Sequence, residues 1–335
     1  MVNFNLAIEL GSSYTCIYMA GIGVVLKEPS LIAIQNLNNK KIVNAVGSAA
    51  KNLIGKTNES LEVIAPIGES EIINFNMCKL MLKEFLAKVA PTGLFKQKNK
   101  VVFVVPCGFS KTDCQKFIQL AYSLNIATVG LIPKSVCGLI GMEVEENDPN
   151  SHMIINMGGG TTDIAIVNNN HIVRGATINI GGISIDLNIG EYLKEKYNMA
   201  FGSVTLEQIK NLAGSLLNND ISSITCFGID LTTKERRQIR IISQDIYVVL
   251  NSAFTKICEA CETVLDMCSA EVLSDISDFG VYVCGGLSNI TGIDRYFSAK
   301  LKLPVFVDVD PDSSVIMGAG NLLNNPSLLN KLLIK

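Results

Sequence analysis

Apolar and polar positions along the chain follow two rhythms. The opening is strand-like: an apolar run at Asn5–Glu9, a turn at Gly11-Ser12-Ser13, and β-forming residues again at Tyr14–Met19. Short runs at Gly23–Leu26 and Leu31–Ile34 follow, punctuated by Pro29. Val101–Val105 reads as a buried strand. Ser110 and Asp113 then open a helix in the manner of a capping box, and its apolar positions Phe117, Leu120, Ala121 and Leu124 recur at helical spacing. A strand near Thr128–Ile132 completes a βαβ unit, so an α/β protein is predicted.

The second half repeats the plan of the first. Met153–Asn156 is an apolar strand, Gly158-Gly159-Gly160-Thr161-Thr162 a turn of glycines and hydroxyls, and Ile164–Val167 a returning strand. Written together, IELGSSYTCIY and INMGGGTTDIAI each give a strand ending in a polar residue, one apolar residue, a small-residue turn and a second strand. Such an internal repeat predicts a pseudo-symmetric pair of α/β domains whose two turns face one another across a cleft. Downstream, Thr205 with Gln208 is expected to cap a helix through Leu217, and Ser243 to open a long helix through Cys268. Gly280–Cys284 should be a strand ending in Gly285-Gly286, and Pro304–Val309 another. The tail from Ser313 is expected to be helical, with Gly318 and Gly320 at a close approach, and Asn168-Asn169-Asn170 should mark a hairpin tip.

Composition narrows the picture. The chain has 335 residues, enough for two domains, and its 48 % hydrophobic and 18 % charged content excludes disorder. The 28 basic and 31 acidic residues leave a net charge of −3, too balanced for a general nucleic-acid binder, and without Trp there is no stacking platform. No basic residue precedes an apolar run at Met1–Asn5, so a secretory signal is not expected, and no run reaches the ~18 apolar residues of a membrane span. The ten cysteines are read as reduced, mostly buried thiols. Cys258 and Cys261 form a C-x-x-C with Cys268 beyond, but a zinc site needs further ligands and only His152 and His171 are present among histidines.

The glycine turns carry the chemistry. A phosphate needs several N–H groups converging on one point; glycine permits the backbone shape and leaves no Cβ in the way, while Ser and Thr add donors. Most glycine turns are only turns, but two in matched context, with a third at Gly285-Gly286-Leu287-Ser288 after a strand, point to phosphate binding. Ala50–Thr57 (A-K-N-L-I-G-K-T) mimics a P-loop, yet its helical pattern precedes Gly55 and no apolar helix follows Thr57.

These segments resemble the MreB family of bacterial actins. The resemblance is carried by Ile8-Glu9-Leu10-Gly11-Ser12, by Gly23-Val24-Val25-Leu26-Lys27-Glu28-Pro29-Ser30, and by Gly158–Thr162. It continues through Thr205-Leu206-Glu207-Gln208-Ile209-Lys210, Cys284-Gly285-Gly286-Leu287 and Gly318-Ala319-Gly320, in family order from about residue 6 to 322. It implies an actin-like (ribonuclease H-like) duplicated two-domain fold with nucleotide between the domains, ATP or ADP with Mg²⁺. The expected first large subdomain comprises 1–32, 76–145 and 313–335, with a small one at 33–75. The second large one comprises 146–182 and 243–312, with a small one at 183–242. By the same resemblance, Gly11, Ser12, Ser13 and Tyr14 line the first phosphate loop and Gly158, Gly159, Gly160 and Thr161 the second. Glu207, Gln208, Ile209 and Lys210 belong to the adenosine-holding helix, and Gly285, Gly286, Leu287 and Ser288 pass beneath the base.

The chain departs from the family where hydrolysis occurs. The family usually has Asp at the positions of Glu9 and Asn156, and a Glu-Glu pair where Pro133-Lys134 stands. Glu9 keeps a charge that could serve Mg²⁺ through a water; Asn156 loses one. Neither Pro133 nor Lys134 can orient a water as a carboxylate does, so nucleotide binding with slow or absent hydrolysis is expected. Leu94-Phe95, followed by Lys96, Lys98 and Lys100, has the make-up of a loop that touches anionic lipid. The resemblance therefore implies a cytoplasmic protein that polymerises with itself on the inner face of the plasma membrane, works with the cell-wall elongation machinery in cell shape, and binds no nucleic acid. A non-polymerising nucleotide-dependent regulator is the alternative. A small-molecule kinase on the same fold lacks a candidate base.

Overall fold

The computed structural model describes residues 4–37, 40–56, 60–69, 71–89, 100–145 and 148–334. Its first half runs β1 (Leu6–Leu10), β2 (Tyr14–Met19), β3 (Gly23–Pro29), β4 (Ile32–Leu37), β5 (Lys40–Val46), α1 (Ser48–Lys51), β6 (Leu61–Ile64), α2 (Phe75–Val89), β7 (Lys100–Val105), α3 (Lys111–Ser123), β8 (Thr128–Pro133) and α4 (Lys134–Gly141). The second half runs β9 (Ser151–Met157), β10 (Thr162–Asn168), β11 (His171–Ile178), α5 (Gly182–Tyr197), β12 (Met199–Ala200), α6 (Ser203–Ala213), β13 (Ser223–Asp230) and β14 (Arg236–Ile242). It continues with α7 (Ser243–Asp266), α8 (Ala270–Phe279), β15 (Val281–Cys284), α9 (Ile293–Leu301), β16 (Val305–Val307), α10 (Ser314–Leu323) and α11 (Pro326–Leu332).

The repeat read from the sequence is a repeat of topology. One five-stranded sheet has the order β3-β2-β1-β7-β8, the other β11-β10-β9-β15-β16. In each, a three-strand antiparallel meander meets two strands parallel to its first member. Two three-stranded sheets, β5-β4-β6 and β12-β13-β14, stand beside them.

Strand parity decides what faces the middle of the molecule. Leu6, Ile8 and Leu10 of β1 pack into one core with residues of α2 and α3, whereas Ala7 joins the layer that holds α4 and α10. Met153, Ile155 and Met157 of β9 pack with α5, α6 and α7, whereas Ile154 joins that same middle layer. Side chains alternate faces along a strand, so Glu9 shares the parity of Ala7, and Asn156 that of Ile154. In β10, Asp163 likewise shares the parity of Ala165, which is also in the middle layer. The three polar residues beside the turns thus sit on the inward side of both sheets.

Helices α4 and α10 cross within this layer at glycines. A Cβ on Gly141 would run into Ser314 O, and one on Gly318 into Cys137 O. Gly141→Val is therefore expected to lower unfolding free energy by at least about 2 kcal/mol, the scale of overpacking a closed contact. A denaturant titration reads this, and an unchanged midpoint would show that the helices separate freely.

The sequence places most elements within a few residues. The Ser110 hydroxyl does cap α3, accepting from Asp113 N–H at 3.2 Å. Asn169 and Asn170, at φ 48° and 62°, form the tip between β10 and β11. Helix α6 differs: extended Gly202 is its N-cap and Thr205 lies inside the first turn. The helix ends at Ala213, before extended Gly214, rather than at Leu217. The helical tail is two helices, because Pro326 starts α11 with the Asn325 side chain accepting from Leu328 N–H. The P-loop mimic holds a helix that ends at Lys51, with Gly55 at φ +75° after it; Thr57 lies outside the described residues. Burial pushes the Cys258 thiol up to about 12 and Cys261 well above its usual value, which keeps both free thiols protonated.

Candidate functional site

The two glycine turns are built alike. Gly11 N–H donates to Tyr14 O at 3.0 Å, and Gly158 N–H donates to Thr161 O at 2.9 Å. They also touch. A Cβ on Gly159 would collide with Ser13 Oγ, and one on Gly160 with Ser12 Oγ. Glycine is needed there because the opposite turn occupies the space.

The Glu28-Pro29-Ser30 segment braces the first turn. Ser30 Oγ donates to Gly11 O at 2.6 Å and lies 2.9 Å from Thr15 Oγ1. The Glu28 carboxylate accepts from the N–H and the hydroxyl of Ser48, both at 2.7 Å, and pairs with Lys88 at 3.2 Å. Although burial opposes it, this bonding holds Glu28 below the usual carboxylate range. Ser12 Oγ donates to Gly68 O, joining the turn to the chain that follows β6.

Between the turns lies a cavity of about 510 Å³, within the range of small-molecule sites. It opens at the ends of β1, β9 and β15, where ligands of parallel sheets usually bind. Of the predicted residues, Gly11 to Tyr14, Gly158 to Thr161, Glu9, Asn156, Lys134, Glu207, Lys210 and Gly285 to Leu287 all line it. Four do not. Gln208 is exposed and Ile209 is packed in the core, because only positions three and four apart share the face that Glu207 presents. By that spacing Asn211 lines the cavity as well, a residue the sequence reading missed. Ser288 is buried and donates to Cys284 O at 2.7 Å, a structural bond. Pro133 ends β8 and caps α4 without reaching the cavity.

Charged pairs frame the space. Across its mouth, Lys51 Nζ meets Glu207 Oε2 at 2.5 Å. Burial opposes the Lys51 charge, but Glu207 outweighs it and raises the pKa. Deeper in the wall, Lys210 is buried and donates to Asp186 at 3.0 Å and to Gly182 O at 3.1 Å. Burial pushes the Asp186 carboxyl up to about 6 in spite of that ammonium.

At the inner end, Lys134 begins α4 and is 8 % exposed. Its Nζ lies 3.3 Å from Glu9 Oε1. Burial alone would lower its pKa; attraction to Glu9 and Asp163 wins, and the ammonium is held above its usual value. Asp163, pushed up by burial, accepts from Thr177 Oγ1 at 2.6 Å. Asn156 pairs with Asp163 in register across the β9–β10 hairpin. Mg²⁺ in a nucleotide site is held through one or two carboxylates, waters and the phosphates themselves, and here the Glu9 carboxylate is shared with a buried ammonium, which makes the set a poor one for that ion. Glu9 already faces an ammonium, Asn156 is neutral, and among the described residues no three acidic or metal-ligating side chains converge.

The sequence profile of the family described as MreB/Mbl protein matches residues 3–331. The chain belongs to the MreB/Mbl family. It is 30 % identical over 326 residues to the cell shape-determining protein MreB of Escherichia coli K12, covering 96 % of this chain and 94 % of that one. It is 30 % identical to the cell shape-determining protein Mbl of Bacillus subtilis, covering 98 % of each. Its fold superposes on MreB 5 of Spiroplasma citri bound to AMPPNP with a TM-score of 0.91 and 28 % identity, covering 97 % of both chains. The duplicated α/β architecture is thus the actin-like fold of MreB proteins. Among the described residues no helix is long and apolar enough to cross a membrane.

Proposed function

We propose that this MreB-family protein binds an adenine nucleotide, ATP or ADP, in the cavity between its two glycine turns and assembles into filaments that help set cell shape. One observation carries the reading. Two turns closed by the same backbone bond come from separate sheets and meet over a cavity of about 510 Å³. A polyphosphate chain is what such paired turns suit, and the AMPPNP carried by the Spiroplasma relative supports it. Nucleotide would bias the two halves towards a closed, assembly-competent form, a population shift that needs no hydrolysis.

Hydrolysis is slow or absent in this reading. A buried lysine stands where the family places a carboxylate, and phosphoryl transfer relies on positioning water and stabilising charge. The same feature favours the second reading, a nucleotide-dependent regulator that does not polymerise. Attachment to the inner face of the plasma membrane rests on the sequence of Leu94 and Phe95, which lie outside the described residues. Contact with the cell-wall elongation machinery rests on the family alone.

Sedimentation separates these readings. With ATP the protein is expected to pellet as polymer, and with anionic liposomes the pellet should grow through lipid contact. Leu94→Ser with Phe95→Ser should remove the liposome-dependent part and leave the polymer. A protein that stays in the supernatant with every nucleotide is the regulator instead.

A further inference from the structure

We propose that the Lys134 ammonium is a built-in counter-cation for the polyphosphate chain, so that this cleft takes nucleotide without a divalent metal. The inference rests on the nucleotide reading above and adds to it the chemical form of the ligand: free nucleotide rather than its metal complex.

The placement follows from the fold. Glu9 lies two residues before Gly11, Asn156 two before Gly158, and Asp163 two after Thr161, all with the inward parity of their strands. Val105 of β7 pairs with Pro133 of β8, so the residue after Pro133 starts α4 just beyond the sheet. That residue is Lys134, buried, lining the cavity and paired with Glu9.

Each lysine on the cavity wall has a carboxylate partner, and Lys134 is the one placed at the inner end, beside the strands that carry both turns. Lys27 faces Asp312 at 3.7 Å, and Lys210 faces Asp186 at 3.0 Å. Lys134 shares Glu9 with the inner end of the cleft. An ammonium donates three hydrogen bonds, so one bond to Glu9 leaves it able to meet a phosphate oxygen. A metal ion seeking Glu9 would have to sit beside, or displace, a positive charge that is part of the chain. Ammonium groups do neutralise phosphate as point charges, and a tethered one needs no ordering from solution.

Calorimetric titration of the full chain with ATP, in MgCl₂ buffer and in EDTA, tests this. The two dissociation constants are expected to agree within about threefold, well under one decade of affinity. Lys134→Met should weaken binding in EDTA by about tenfold or more, and Lys134→Arg should retain it. Unmodified protein that loses tenfold or more of its affinity in EDTA overturns the inference and leaves the nucleotide reading standing. Protein that binds ATP in neither buffer overturns both. The comparison of buffers needs no variant, so a Lys134→Met chain that fails to fold does not blunt it.

Discussion

Gly159→Val is expected to weaken ATP binding by about 10- to 100-fold, the effect of ~1–3 kcal/mol of overpacking at a closed contact. The reason is local. Any Cβ at 159 meets Ser13 of the opposite turn, so a valine must push the two turns apart. The chain around it need not unfold, because the displaced atoms line a cavity rather than a core. The thermal midpoint without nucleotide should therefore move little, while the rise in midpoint that ATP gives should shrink or vanish. Gly202→Ala is the control: it adds a Cβ where nothing lies within 4 Å. It should bind like the unmodified protein. Equal affinities for the Gly159 and Gly202 variants would mean that the turns do not grip the ligand.

The second large effect is a gain. Lys134→Glu with Asn156→Asp is expected to raise phosphate release by about 10²-fold over the unmodified chain, the lower end for one positioned acid–base group. These changes restore carboxylates at two positions that line the cavity. Glu9 would then face like charge, so the folded state should weaken in EDTA and recover in MgCl₂, which a thermal melt reads directly. Pro133→Glu alone should do nothing for turnover, since residue 133 does not reach the cavity. If the double variant releases phosphate no faster, residues 134 and 156 are not what limits hydrolysis. If Pro133→Glu alone accelerates it, the placement of that residue is wrong.

What the sequence made legible was the part fixed by backbone demands. The glycine turns stand out because close approach excludes side chains, and both turns proved to meet at glycine. The inward parity of Glu9 and Asn156 follows from strand alternation once β1 and β9 are recognised. Helix faces were harder. On α6 the family resemblance marks four consecutive residues, although a helix shows only every third or fourth residue to one partner; Glu207, Lys210 and Asn211 line the wall, and Gln208 and Ile209 do not. Helix α2 also carried a signal, with Met77, Cys78, Met81, Leu82, Phe85 and Leu86 buried at helical spacing.

Pairings between distant segments had no local signature. Lys51 reads as an ordinary lysine in a false P-loop, yet it closes on Glu207 across the cavity mouth, 156 residues away. Lys134 reads as a lost carboxylate. Its role as partner to Glu9 needs β1, β8 and α4 to converge, which only the folded chain supplies.

A crystal structure with ATP bound is the most direct measurement of the central claim. The account predicts triphosphate density between Ser12–Ser13 and Gly158–Thr161, with the adenosine against Glu207, Lys210 and the Gly285–Leu287 turn. An empty cleft at saturating ATP, or nucleotide bound elsewhere on the molecule, would contradict it.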